Sequence, residues 1–135
     1  MRCIVRVGGR VVACESPDTW HVWPGGRRLP GEAYETTACR EVYEETGWLV
    51  DEADLRLLGF LHLRYAAPQP ADHPYPHPDF LQLVYTARAT RREGSGSEWT
   101  DHDGWERNHR LCTVADLHAL GLSAVQHAFL RLLVG

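Results

Sequence analysis

The segment from Gly26 to Trp48 constrains the fold of this chain more than any other. It reads GRRLPGEAYETTACREVYEETGW, and its length and residue types are typical of a loop that leads into one helix. Glu32 and Glu35 suit the positively polarised start of a helix. Gly47 stands where a left-handed capping residue is expected, so the helix is predicted to end at about Thr46.

The same helix concentrates charge on one face. A helix advances about 100° per residue, so Glu41, Glu44 and Glu45 fall within an arc of roughly 100°, with Arg40 beside Glu44. Like charges at these spacings repel unless something neutralises them. The residues alone leave two interpretations open. One is a solvated face relieved by Arg40 and water, and the other is a site for a hard divalent cation, which prefers oxygen ligands.

Strand patterns surround this helix. The predicted elements are a hairpin over 2–16 turning at Gly8-Gly9, a short strand from Trp20 that stops at Pro24, the helix, strands over 55–67 and 79–90, a short strand over 110–114 and a helix over 122–133. Five of the eight prolines lie between Pro68 and Pro78, which predicts a stiff connection there. No repeat or linker divides the chain, so a single domain over residues 1–135 is expected.

Composition excludes several classes of function. With 18 acidic against 14 basic residues, the chain has no broad basic surface for a nucleic-acid polymer. No apolar run is long enough to span a membrane, and Arg6 interrupts the start of the chain where a secretory signal would be apolar. A cytoplasmic location is therefore expected. The four cysteines show no CxxC spacing, which predicts reduced thiols.

The segment fits the pattern G-x5-E-x7-R-E-V-x-E-E-x-G-W, and seven of its polar and glycine residues carry a resemblance to the signature of the Nudix hydrolase family. They are Gly26, Glu32, Arg40, Glu41, Glu44, Glu45 and Gly47. The resemblance implies an α/β (α+β) fold, a Nudix-type α/β/α sandwich with a mixed β-sheet between helices. It also implies hydrolysis of a nucleoside diphosphate linked to another moiety, and it favours the cation site over the solvated face.

The resemblance assigns roles to single residues. Glu41, Glu44 and Glu45 would hold Mg²⁺ or Mn²⁺, with the backbone carbonyl of Gly25 as a further ligand. Glu41 or Glu45 would accept a proton from the attacking water, and Glu41 is preferred by analogy.

The other residues of the signature would support this centre. Arg40 would orient the acids by pairing with them, and Glu32 would brace the loop against the helix. Gly26 and Gly47 would serve backbone geometry.

The chain departs from the family pattern in two places. Leu29 occupies a position where relatives often carry an acid. Many relatives also supply a carboxylate from a loop near the C-terminus, and Glu106 is the preferred candidate for contact with the metal and substrate. The alternatives are Glu98, Asp101 and Asp103.

Substrate contacts are harder to assign from the sequence. Arg27 and Arg28 are either phosphate ligands or surface residues. Alternation along a strand predicts that Trp20 and Trp23 face opposite ways, with one of them in the pocket. The aromatic candidates for stacking on a base are Trp23, Tyr65, Tyr75, Trp99 and Trp105.

The proline-rich segment also contains His73 and His77. The intervening prolines exclude a helix, so their spacing of four does not predict a zinc site. The segment is interpreted either as a lid over the substrate or as a rigid connection.

The leading functional hypothesis is a metal-dependent pyrophosphohydrolase acting on a nucleoside triphosphate, a sugar nucleotide, ADP-ribose or a dinucleotide. The alternative is a non-catalytic Nudix-fold regulator that binds a nucleotide or metabolite. Similar proteins often dimerise, so a homodimer is one expected assembly.

Overall fold

The structure is a computed structural model that describes residues 1–94, 100–104, 106 and 108–134. Its strands are β1 (Arg2–Val7), β2 (Arg10–Glu15), β3 (Trp20–His21), β4 (Trp48–Val50), β5 (Arg56–Arg64), β6 (Asp79–Arg92) and β7 (Asn108–Cys112). Its helices are α1 (Tyr34–Thr46), α2 (Val114–His118) and α3 (Ala124–Arg131), with a 3₁₀ turn over Glu52–Asp54.

The strands form a mixed sheet in the order β3-β2-β1-β6-β4. β1 and β6 run parallel, whereas β5 pairs antiparallel with β6 and β7 pairs antiparallel with β2. The parallel pair connects segments far apart in sequence, and α1 lies in the connection between them. The helix that carries the acids is therefore anchored next to the centre of the sheet.

Alternation along β1 sends neighbouring side chains into two separate cores. Cys3 and Val5 pack with Val42 of α1 on one face of the sheet. Ile4 packs with Leu117 of α2 and with side chains of α3 on the other face. This arrangement of helices on both faces of a mixed sheet confirms the predicted α/β/α sandwich.

The helix α1 ends at Thr46, as predicted, and Gly47 takes the left-handed conformation with φ 73°. Two short elements were not predicted, β4 and α2. They span three and five residues, too few for a hydrophobic period to be recognised. The signal for α2 was its capping box, in which Thr113 and Asp116 bond each other's backbone N–H groups.

The prediction that Trp20 and Trp23 face opposite ways was wrong. Both rings pack against the core on the α3 side of the sheet. The reason is that β3 covers only Trp20–His21, so strand alternation does not extend to Trp23.

None of the helices in the described part of the chain combines the length and hydrophobicity that a membrane-spanning segment needs.

Candidate functional site

Arg40 connects the acidic face of α1 to the loop before it. Its Nε and Nη2 donate to the carboxylate of Glu32 at 2.8 and 3.1 Å, and its Nη1 donates to Glu41 and Glu44 at 3.0 Å each. Its Nη2 also donates to the backbone carbonyl of Arg27 at 3.0 Å. One guanidinium thereby holds Glu41 and Glu44 of α1 together with two points of the preceding loop, Glu32 and the carbonyl of Arg27.

Glu32 ties the same loop to the helix. Its carboxylate accepts hydrogen bonds from the backbone N–H of Leu29 at 3.0 Å and from the hydroxyl of Thr37 at 2.7 Å. The hydrogen bonds from Arg40 and from Leu29 lower the pKa of Glu32 to about 2, and the pKa of Arg40 rises further above its usual value. Both partners stay charged, so the brace persists across the ordinary pH range.

Glu41 and Glu44 of α1 lie close to Asp103 of a distant loop, and these three residues form the first group of acids. One carboxylate oxygen from each of Glu41, Glu44 and Asp103 lies within 4.8 Å of the others. Glu41 is buried, Glu44 is half-buried and Asp103 is exposed, so the group opens to solvent on one side. Burial raises the pKa of Glu41, and the adjacent Arg40 opposes that shift. Oxygen donors with an open side suit Mg²⁺ or Mn²⁺, which keep water or phosphate among their ligands.

The second group of acids consists of Glu45 and Glu106, which are both buried, whereas the first group is partly exposed. Glu45 is 9% exposed, and its Oε2 accepts from the backbone N–H of Gly25 at 3.0 Å. Burial raises the pKa of Glu45 to about 9, and the charge of Glu106 adds to the shift. Because a buried carboxylate is costly, this acid favours its proton until a cation lies nearby.

Glu106 is held by a contact that the sequence did not reveal. Its Oε1 lies 2.6 Å from Nε2 of His21, and its side chain is only 3% exposed. Its other oxygen, Oε2, is buried without a hydrogen-bond partner in the described part of the chain. An unsatisfied buried carboxylate oxygen near a second acid is the environment that a cation would complete. No spacing rule links residues 85 positions apart, so His21 gave no signal in the sequence.

Asp101 shapes the loop that delivers these acids. Its carboxylate is buried and accepts from the backbone N–H groups of Asp103 at 3.2 Å and Glu106 at 2.8 Å. Of the four loop acids proposed from the sequence, Asp103 therefore reaches the first group and Glu106 the second, while Glu98 lies outside the described residues.

The glycine pair before the helix allows close approach of the acids. A Cβ atom on Gly26 would lie 2.5 to 2.7 Å from the carboxylate of Glu41, and one on Gly25 would lie 2.1 Å from the carbonyl oxygen of Met1. The carbonyl of Gly25, a predicted metal ligand, accepts from Nη1 of Arg2 at 3.0 Å. A side chain at position 25 would therefore clash with backbone, whereas one at position 26 would displace the carboxylate of Glu41.

A cavity of about 800 Å³ lies over the first group of acids. Arg27 and Arg28 also line it, together with Pro74 and Tyr75 of the proline-rich segment. The volume is within the range of small-molecule sites. The proline-rich segment therefore contributes a wall of the cavity.

Other sequence candidates lie elsewhere. Trp23, a candidate for substrate contact, packs edge-on against Phe129 of α3 with ring centroids 6.2 Å apart and is not among the residues that line the cavity. His73 pairs through Nε2 with the hydroxyl of Tyr65 at 2.7 Å. Trp99 and Trp105 lie outside the described residues.

Comparison with solved structures shows the fold again. A Nudix hydrolase from Nitrosomonas europaea is 15% identical with a TM-score of 0.71, and the match covers 97% of this chain and 84% of that one. A mutator MutT protein from Bacillus halodurans is 24% identical with a TM-score of 0.63, covering 95% and 76%. A pyrophosphohydrolase from Bacillus subtilis is 21% identical with a TM-score of 0.67, covering 98% and 78%.

No curated protein gives a significant match to the chain. The model of the NUDIX domain family, in contrast, matches residues 2–133. That span includes every strand and helix described above as well as both groups of acids. The chain therefore belongs to the Nudix family of hydrolases.

Proposed function

We propose that this Nudix hydrolase is a pyrophosphohydrolase that requires a divalent cation and cleaves a nucleoside diphosphate linked to another moiety. The observation that carries the proposal is the first group of acids, Glu41, Glu44 and Asp103, in a cavity that Arg27 and Arg28 also line. Phosphoanhydride cleavage needs this combination of metal ligands and phosphate contacts.

The donor set fits Mg²⁺ or Mn²⁺. Glu41, Glu44 and Asp103 would hold one cation, and Glu45 with the unsatisfied oxygen of Glu106 would contribute ligands to another. Bound cations would supply positive charge to the phosphate oxygens as the bond loosens and would increase the acidity of the attacking water. The acids themselves are all oxygen donors, which selects against softer metals.

Glu41 is the stronger candidate for the general base. It lines the cavity, whereas Glu45 is not among the lining residues and accepts from the backbone N–H of Gly25. The bond from Arg40 fixes the orientation of the Glu41 carboxylate. Arg27 and Arg28, which line the same cavity, would neutralise phosphate charge.

The test is turnover across a panel of nucleoside triphosphates, ADP-ribose, sugar nucleotides and dinucleotides. Wild type, Glu41→Gln and Glu45→Gln would be assayed with Mg²⁺ or Mn²⁺, with Glu52→Gln as the control because Glu52 is exposed in the 3₁₀ turn. We expect turnover in wild type and control, and a loss of at least about 100-fold in both site variants.

Hydrolysis in ¹⁸O-labelled water would show which phosphorus atom is attacked. Absence of turnover on every compound, combined with tight calorimetric binding of one of them, would contradict the enzyme and support the regulator.

A further inference from the structure

We infer that Arg27 and Arg28 form an anion-binding wall for a phosphate beyond the scissile bond, and that the site therefore favours nucleotides with three or more phosphates in a row. This inference rests on the proposed function and narrows its substrate class.

The proline-rich segment holds Arg27 in place. The guanidinium carbon of Arg27 lies 5.4 Å from the centroid of the Tyr75 ring, and its Nη1 is 3.5 Å from the carbonyl oxygen of Pro74. On strand β6, Phe80 stacks with Tyr75 at 5.4 Å between centroids and 12° between planes. The stack runs from the sheet to the guanidinium, so the fold fixes the position of the charge.

Arg28 is held by an aromatic ring of a different part of the chain. Its guanidinium carbon lies 4.6 Å from the centroid of Tyr34, the first residue of α1. Two consecutive guanidinium groups are thus supported by rings from two separate elements. A long side chain loses rotamer freedom when it is held in one position, which costs conformational entropy. An arginine that is simply solvated at the surface does not need this ordering.

Neither guanidinium is neutralised by the protein. Among residues 1–94, 100–104, 106 and 108–134, neither Arg27 nor Arg28 forms an ion pair with a carboxylate, although the cavity that they line contains three acids. Arg40, in contrast, bonds Glu32, Glu41 and Glu44 at once. The two exposed guanidiniums keep their donors available, and their planar fork fits a phosphate in two-point contact.

The position of this charge selects the substrate. The acids, with their cations, would hold the two phosphates of the scissile anhydride. A third phosphate needs positive charge of its own, and the arginine wall lies in the same cavity of about 800 Å³. A substrate with two phosphates and a sugar, such as ADP-ribose, places no additional charge there and gains less from the wall.

Tyr75 acts as a positioning residue in this arrangement. Its contacts to Arg27 and Phe80 are made by the ring and do not involve the hydroxyl. Phenylalanine at this position would keep both contacts, whereas alanine would remove both.

Steady-state kinetics with ATP and with ADP-ribose test the inference. Arg27→Ala should raise KM for ATP about tenfold and Tyr75→Ala about threefold, while kcat stays within about twofold. KM for ADP-ribose should change by less than about twofold in both. Tyr75→Phe should behave as wild type, and Arg131→Ala, an exposed arginine of α3 outside the cavity, is the matched control. Equal changes in KM for the two nucleotides would overturn the inference.

A binding measurement separates this inference from the proposed function. Inorganic triphosphate with Mg²⁺ would be titrated into Glu45→Gln and into the double variant that adds Arg27→Ala. We expect about tenfold weaker binding in the double variant. Equal binding would overturn the wall even if the enzyme is active. If binding weakens as expected but the protein hydrolyses none of the compounds, the arginine wall is supported and the proposed hydrolase activity is contradicted.

Discussion

Gly26 lies so close to Glu41 that its hydrogen, in place of a Cβ atom, leaves the room that the Glu41 carboxylate occupies. We predict that Gly26→Ala lowers kcat/KM by at least about tenfold, because its Cβ would lie within 2.7 Å of the carboxylate and displace it. The free energy of unfolding should change by less than about 1 kcal/mol, since the displaced group is the end of a flexible side chain.

Gly9→Ala is the matched control for this prediction. A Cβ on Gly9 meets no atom within 4 Å, so this variant should keep wild-type kinetics. Loss of stability in Gly26→Ala without loss of activity would show that the glycine serves the fold and leaves Glu41 unaffected.

The ion pair between Glu32 and Arg40 predicts a pH dependence of stability. The pKa of Glu32 is about 2 in the folded protein, below its usual value of 4.5, so the folded form holds fewer protons between these limits. The stabilisation is therefore present above about pH 4.5 and is lost as the pH falls toward 2.

Urea unfolding of wild type and Glu32→Gln, followed by tryptophan fluorescence, measures this effect. The variant should be less stable near pH 7, and the difference should shrink between about pH 5 and pH 3. A difference that stays constant over that interval would show that Glu32 stabilises the loop without its charge.

The helix α1 positions the acids through its apolar face. Val42 is fully buried against β1 and β2, and it is adjacent to Glu41 in the sequence and about one turn before Glu45. We predict that Val42→Ala lowers the free energy of unfolding by about 2 kcal/mol, because it leaves a cavity beneath the helix. Val125→Ala on the exposed side of α3 should cost less than about 0.5 kcal/mol. Equal losses in urea unfolding would show that the helix is not held by this contact.

The elements with strong local signals could be predicted from the sequence, and those that depend on distant contacts could not. Gly47 and the run of acids defined the end of α1, whereas α2 is too short to show a period. For the site, angular position on the helix grouped Glu41, Glu44 and Glu45. The structure instead brings Glu45 toward Gly25 and Glu106. The reason is that residues of the loops, which are distant in sequence, determine the neighbours of each glutamate on the helix.

At the scale of the whole molecule, a chain with net charge −4 brings several acids of its candidate site together at one helix, where their like charges oppose folding unless a proton or a cation neutralises them. The pKa of Glu45 is raised from 4.5 to about 9, so the folded protein keeps a proton that the unfolded chain releases. The stability of the metal-free protein should therefore fall as the pH rises from about 4.5 to about 9.

The last prediction compares Glu45→Gln with wild type in the presence and absence of Mg²⁺. In a chelator at about pH 8 the variant should have the higher Tm, because glutamine keeps an acceptor for the N–H of Gly25 and, unlike Glu45, does not have to take up a proton when the chain folds. With Mg²⁺ at about 100 times its Kd, wild type should gain about 2.7 kcal/mol and the variant less, so the difference in Tm between them should narrow or reverse. A variant that is already less stable than wild type in chelator would contradict this prediction. It would show that the buried carboxyl group of Glu45 stabilises the fold without metal, so that no cation is needed to offset its burial.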